Sequence, residues 1–174
     1  RQIADKATVA GVEIEIRKNL FVRPVSNAAH GMNKLSLGLN GSYIYTNAKM
    51  PLATVTTGSQ LEGAAPWIVN FDLSHNFTKG ERSFVNTLVL NYVSDKIYTI
   101  GTQGYQDIME QGVLTLDFVS QAKLNKHLSL NLKARNLLNP SYKLSRKANE
   151  NGEKVILNDY KKGINISLGV SCTF

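Results

Sequence analysis

The sequence predicts an all-β protein, an antiparallel up-and-down meander of about seven strands with one apolar and one polar face. Three observations predict it. Side chains alternate in character with a period of two along most of the chain, and no helix-period segment of useful length competes. The segregation is complete at the carboxy-terminus: Ile164, Ile166, Leu168, Val170, Cys172 and Phe174 take one parity, and Asn165, Ser167, Gly169, Ser171 and Thr173 the other. Connections between strands, except the middling first one at residues 18–33, also alternate between short and long, which suits a barrel with turns on one rim and loops on the other.

The first strand is expected over about residues 7–17, where Val12, Ile14 and Ile16 oppose Glu13, Glu15 and Arg17. The second, residues 34–46, sets Leu35, Leu37, Leu39, Tyr43 and Tyr45 against Ser36, Gly38, Asn40 and Ser42. The third, 66–77, sets Trp67, Val69, Phe71, Leu73 and Phe77 against Asn70, Asp72, Ser74 and Asn76. In the fourth, 83–92, Phe84, Leu88, Leu90 and Tyr92 align, and Asn86 breaks their face. The fifth (111–121) and sixth (126–136) carry Leu114, Leu116, Phe118 and then Leu128, Leu130, Leu132, Ala134 on one parity. The terminal segment is the seventh. A short turn of helix could form at Asn27 to His30.

The chain of 174 residues is 43% hydrophobic and 19% charged, so it is long and apolar enough to be structured throughout. No run approaches the roughly 18 apolar residues of a spanning helix. Barrel strands need only about ten alternating residues, so the mean hydropathy of −0.17 is compatible with a membrane barrel. The net charge of +7 is scattered, with Arg17-Lys18, Lys143 to Lys147 and Lys161-Lys162 as its densest groups, and it supports no nucleic-acid partner. Cys172 is the single cysteine and can form no internal disulfide. Arg1 is not a start residue, so the chain reads as a processed product or a piece of a longer protein.

Aromatics on the apolar parity should gather at membrane-water boundaries if the sheet belongs to an outer-membrane barrel. The short-turn rim would then hold Phe77, Phe84 and Phe174, and the long-loop rim Tyr43, Tyr45, Trp67 and Tyr92, joined by Tyr142 and Tyr160 if parity continues. The opposite parity carries Glu13, Glu15, Arg17, Asp72, Asp117, Lys133 and Arg135, which suit a hydrated lumen better than a dry core.

The segments Gly11 to Leu20, Gly63 to Asn70, Lys133 to Pro140 and Tyr160 to Phe174 resemble the carboxy-terminal barrel of TonB-dependent outer-membrane receptors, with the flavour of those from the Bacteroidetes. The resemblance covers essentially the whole chain. It implies that residues 1–174 are the last seven strands of a twenty-two-stranded transmembrane barrel, with the plug domain and earlier strands lying outside this chain. The implied location is the outer membrane of a Gram-negative bacterium. The implied partners are outer-membrane lipid, the plug and remaining strands of the same protein, TonB through the plug, and the barrel-assembly machinery, for which Phe174, Val170 and Leu168 would form the recognition signal. The implied function is energy-coupled import of a scarce ligand such as an iron chelate, cobalamin, a glycan or a peptide.

Seven strands are too few to close a membrane barrel, so an open curved sheet with two unpaired edges is expected. No enzyme signature is visible and no cofactor is implied. His30, His75 and His127 lack metal-ligand spacing, and His75 takes the apolar parity close to the short-turn rim, an interfacial position. The Gly101 to Gly104 segment reads as a loop. Asp107 and Glu110 within the same connection could hold calcium but read as solvated acids. Asp72 and Asp117 are expected to form lumen salt bridges with Lys133 or Arg135, or to meet the plug. Two rivals stay open: a structural, adhesive or passive-channel barrel, and a soluble sandwich or calyx that binds small molecules.

Overall fold

The computed structural model describes residues 6–25, 31–49, 60–101, 105–148 and 152–173. The suggested helical turn at Asn27 to His30 and the terminal Phe174 lie outside them. Seven strands form one antiparallel sheet: β1 (Lys6–Pro24), β2 (Met32–Lys49), β3 (Trp67–Lys79), β4 (Arg82–Val93), β7 (Val113–Lys123), β8 (Leu128–Arg135) and β11 (Asn165–Cys172). Their spatial order is their chain order, the meander expected from the alternation. β1 and β11 have no second partner in this sheet among the described residues, so it is open at both edges.

Register decides which side chains share a face, because a one-residue slip would turn a whole strand over. Ile16 pairs with Leu39, Leu39 with Phe71, Phe71 with Leu90, and Leu90 with Leu116. Leu132 pairs with Leu168 at the far edge. The apolar parities of all seven strands thus merge into one continuous face. On the other face Arg17 pairs with Gly38, Gly38 with Asp72, Asp72 with Val89, and Val89 with Asp117. The β3–β4 connection holds only Gly80 and Glu81, and Gly80 has φ 60°, as the first turn position of a tight II′ hairpin requires.

Among the described residues neither face is covered by a second layer. The only buried hydrophobic residues among those described are Ala48, Ala65, Ile97 and Ala134. Val12, Ile14, Ile16, Leu39, Trp67, Leu88, Tyr92, Leu114, Ile166, Leu168 and Val170 all stand exposed on the apolar face. At about 2 kcal/mol per fully buried apolar side chain, leaving these half-exposed groups in water would cost about 10 kcal/mol. That matches the whole net stability of an ordinary domain, about 5–15 kcal/mol. A soluble sandwich or calyx would bury this face, and this chain does not.

The long connections contain structure that the alternation did not reveal. β5 (Lys96–Thr99), β6 (Ile108–Glu110), β9 (Ser141–Lys147) and β10 (Lys154–Lys161) form a second antiparallel sheet in the order β10-β9-β6-β5. Each directly follows or precedes a strand of the large sheet, and the neighbours keep the order β4, β7, β8, β11. The small sheet therefore extends four strands beyond the long-loop rim, after a break in each. Between β8 and β9 the break is made by Asn136 (φ 59°) and Asn139 (φ 43°), a conformation that asparagine tolerates better than other side-chain-bearing residues. The Asn136 backbone N–H donates to Asp117 Oδ1 (2.8 Å), and its side-chain amide donates to the Gly163 carbonyl (2.6 Å). The Gly163 N–H donates to Asn139 Oδ1 (3.0 Å), which ties the entry of β11 to the exit of β8.

These contacts predict an ordered pair of effects in the refolded full-length protein. Asn136→Gly keeps the backbone conformation but loses the side-chain bond, costing about 1 kcal/mol. Asn136→Val also forces a branched side chain into a left-handed conformation and should cost about 1–2 kcal/mol more. Equal unfolding midpoints in denaturant for the two variants would show that the break is not held by Asn136.

Candidate functional site

The apolar face ends in aromatic rings at both rims. Near the short-turn rim Phe77 and Phe84 are cross-strand partners with ring centroids 6.4 Å apart. Near the long-loop rim Tyr43 and Trp67 pair with centroids 4.5 Å apart, and Tyr45 and Tyr92 lie on the same face. Ten residues of β3 separate Phe77 from Trp67, about 34 Å along a strand. A barrel tilt of about 40° converts that to about 26 Å of height, close to the roughly 25 Å apolar band of outer-membrane barrels. That spacing is close to the height of such a band.

Phe21 belongs to the short-turn set and was not found by alternation. Extending the parity of Ile16 along β1 places Leu20 and Val22 outward. A bulge between Asn19 and Phe21 resets the register, so that Phe21 pairs with Leu35 on the apolar face. His75 lies on that face, as expected, with its Nε2 2.8 Å from Asn33 Oδ1. Beside it Asn86 accepts a hydrogen bond from the Ser120 hydroxyl (2.7 Å). A polar row thus crosses the apolar face one pleat inside the Phe77–Phe84 pair.

The polar face is bonded from strand to strand. Asn91 donates its side-chain amide to Asn70, Asn70 donates to Asn40 (3.3 Å), and Asn40 donates to Glu13 (2.6 Å). This row crosses four strands with every donor aimed the same way, and it ends on a carboxylate of the edge strand. The expected ion pairs of Asp72 and Asp117 with Lys133 or Arg135 are not formed. Asp117 is instead engaged by the Asn136 backbone, and the Asp72 carboxylate leans over Gly38, where any Cβ would collide with it. Arg17 pairs with Glu15 on its own strand. The wall is also less polar than alternation alone suggests, because Val85, Val89 and Val119 share it.

Where the two sheets meet, a cavity of about 200 Å³ is lined by Asn91, Thr115, Lys96, Glu110, Tyr142 and Lys162, among others. Lys96 and Glu110 form an ion pair (3.3 Å), and Lys162 Nζ sits 3.9 Å from the centre of the Tyr142 ring. Tyr142 stacks on Tyr160 at 5.5 Å. These two tyrosines reach the long-loop rim but share the side of Asn91 and Thr115, not the apolar side to which parity assigned them. The left-handed residues at Asn136 and Asn139 break the alternation on which that expectation rested. Asp107 accepts a hydrogen bond from the Gly101 N–H (2.7 Å), and Glu110 is held by Lys96. Among the described residues no three His, Cys, Asp or Glu side chains gather in a cluster that could hold a metal ion.

A family model described as TonB dependent receptor-like, β-barrel, matches residues 1–137, which run from the start of the chain to just beyond β8. No curated protein and no solved structure matches. The matched family consists of outer-membrane receptors and transporters of Gram-negative bacteria. An open meander with an uncovered apolar face and a hydrogen-bonded polar wall is what part of such a barrel would present. The chain belongs to the TonB-dependent receptor family, within its outer-membrane β-barrel.

Proposed function

We propose that this chain forms the last seven strands of the barrel of a receptor that imports a scarce ligand, an iron chelate, cobalamin, a glycan or a peptide, using energy delivered through TonB. The observation that carries this reading is the division of the sheet into an exposed apolar face between two aromatic bands and a bonded polar wall. A plug needs such a wall. Amide donors and carboxylates give it polar docking points, and Val85, Val89 and Val119 give it apolar ones. The ligand would be met on the long-loop rim, where the second sheet raises Lys96, Glu110, Tyr142 and Lys162 above the lumen. The aromatic bands, Tyr43, Tyr45, Trp67 and Tyr92 on that rim and Phe77 and Phe84 on the other, would anchor the wall in lipid. No catalytic step is part of this reading.

Cells lacking the full-length receptor should lose energised accumulation of one class from a panel of ferric chelates, cobalamin, oligosaccharides and peptides. Collapse of the proton gradient in wild-type cells should abolish the same accumulation. Passage that continues after the collapse would assign the chain to a passive channel.

Leu168 and Val170, on the apolar face of β11, and the terminal Phe174 would form the signal read by the barrel-assembly machinery. Phe174→Ser should lower the amount of folded receptor in the outer membrane several-fold with synthesis unchanged, as read by heat-modifiable gel mobility. An unchanged folded fraction would remove that role from the carboxy-terminus.

A further inference from the structure

The outer side of the β3–β4 hairpin carries two cations that no anion in the described chain satisfies. Lys79 and Arg82 are cross-strand partners, two residues beyond the paired Phe77 and Phe84, so all four share the apolar face. Glu81, the one acid in the turn, is already engaged: Lys126 Nζ from the neighbouring β7–β8 turn lies 2.9 Å from its carboxylate, and that contact raises the Lys126 pKa. Lys79 and Arg82 make no ion pair among the described residues. Between the two turns lies an open concavity of about 430 Å³ lined by Lys79, Glu81, Arg82, Leu124 and Asn125.

From the turn inward, the face thus presents two free cations, an aromatic pair, and then the polar row of His75, Asn33, Asn86 and Ser120. A lipid-facing surface has reason to avoid polar side chains in hydrocarbon. Here His75, Asn86 and Ser120 lie one pleat inside the rings and Asn33 level with them, their polar groups bonded in pairs across neighbouring strands. The order of chemistry from the turn inward is an anion site and then an apolar ring shelf. It matches the order along a phospholipid from phosphate to acyl chain.

We infer that the outer face of the β3–β4 hairpin is a binding site for an anionic glycerophospholipid of the periplasm-facing leaflet. Lys79 and Arg82 hold the phosphate in the concavity between the turns. Phe77 and Phe84 pack the first part of the acyl chains. Charge complementarity selects an anionic headgroup over a zwitterionic one, since each free cation near a membrane surface favours it by about fivefold. The inference rests on the proposed barrel reading, in which the short-turn rim faces the periplasm as the short turns of outer-membrane barrels do. A bilayer disc with the same lipid in both leaflets reports the contact whichever way the barrel points, so the site can fail without that reading failing.

The test is native mass spectrometry of the full-length receptor released from discs of phosphatidylglycerol and phosphatidylcholine. Wild type should retain phosphatidylglycerol preferentially, Lys79→Gln and Arg82→Gln should each weaken retention about fivefold, and the double variant about twenty-five-fold. Lys34→Gln removes the same charge near the same rim, but from the polar face, and should leave retention unchanged. Heat-modifiable mobility identifies folded variants. Equal retention by wild type and the double variant would overturn the site. So would an equal loss in Lys34→Gln, or displacement of the lipid by millimolar inorganic phosphate, which would mark a site for the free anion.

Discussion

Everything in this structure depends on backbone pairing that keeps register across six antiparallel ladders. In lipid, unpaired backbone groups are too costly to expose, so each strand must satisfy its polar groups through its neighbours. The ladders also set which side chains lie together. Because Ile16, Leu39, Phe71, Leu90 and Leu116 are successive partners, a face that is apolar in each strand becomes apolar as a whole. Arg17, Gly38, Asp72 and Asp117 are brought into one polar row by the same ladders. A slip of one residue in β1, β3 or β7 would put carboxylates into hydrocarbon, and one in β2, β4 or β8 would put leucines into the lumen.

The two faces then do different work. The apolar one is held between rings whose separation fits the hydrophobic band of an outer membrane, with Tyr43 on Trp67 at one level and Phe77 beside Phe84 at the other. Apart from the Arg17–Glu15 pair, the polar one engages its carboxylates through hydrogen bonds to amides. The Asn91–Asn70–Asn40–Glu13 row is its longest example. Such a row leaves directional groups pointing into the lumen, where a polar partner can exchange bonds with them. Above it, the small sheet carries four strands beyond the long-loop rim and opens a cavity lined by Lys96, Glu110 and Lys162.

Much of this was legible in the residues because alternation is a local signal that survives without tertiary information. All seven long strands, the two faces and most of the aromatics on the apolar face follow from it, and Phe77 and Phe84 are even direct partners. It fails wherever parity is reset. The bulge near Leu20 turns Phe21 outward, and the left-handed Asn136 and Asn139 turn Tyr142 and Tyr160 toward the polar side. The strands β5 and β6 have four and three residues and were too short for any periodicity to show. Asp117 was expected to seek Lys133 or Arg135. A backbone N–H of Asn136, fixed in position by its own turn, was the nearer donor.

The central claim is that the face of Val69, Phe71 and Leu73 lies in lipid while that of Asn70, Asp72 and Ser74 lies in the lumen. Nitroxide side chains placed singly at residues 69–74 of the full-length receptor in bilayers measure this directly, through relaxation by oxygen and by a water-soluble nickel chelate. Oxygen accessibility should peak at 69, 71 and 73, and nickel accessibility at 70, 72 and 74. Two profiles in phase with each other, or the opposite assignment, would contradict the account.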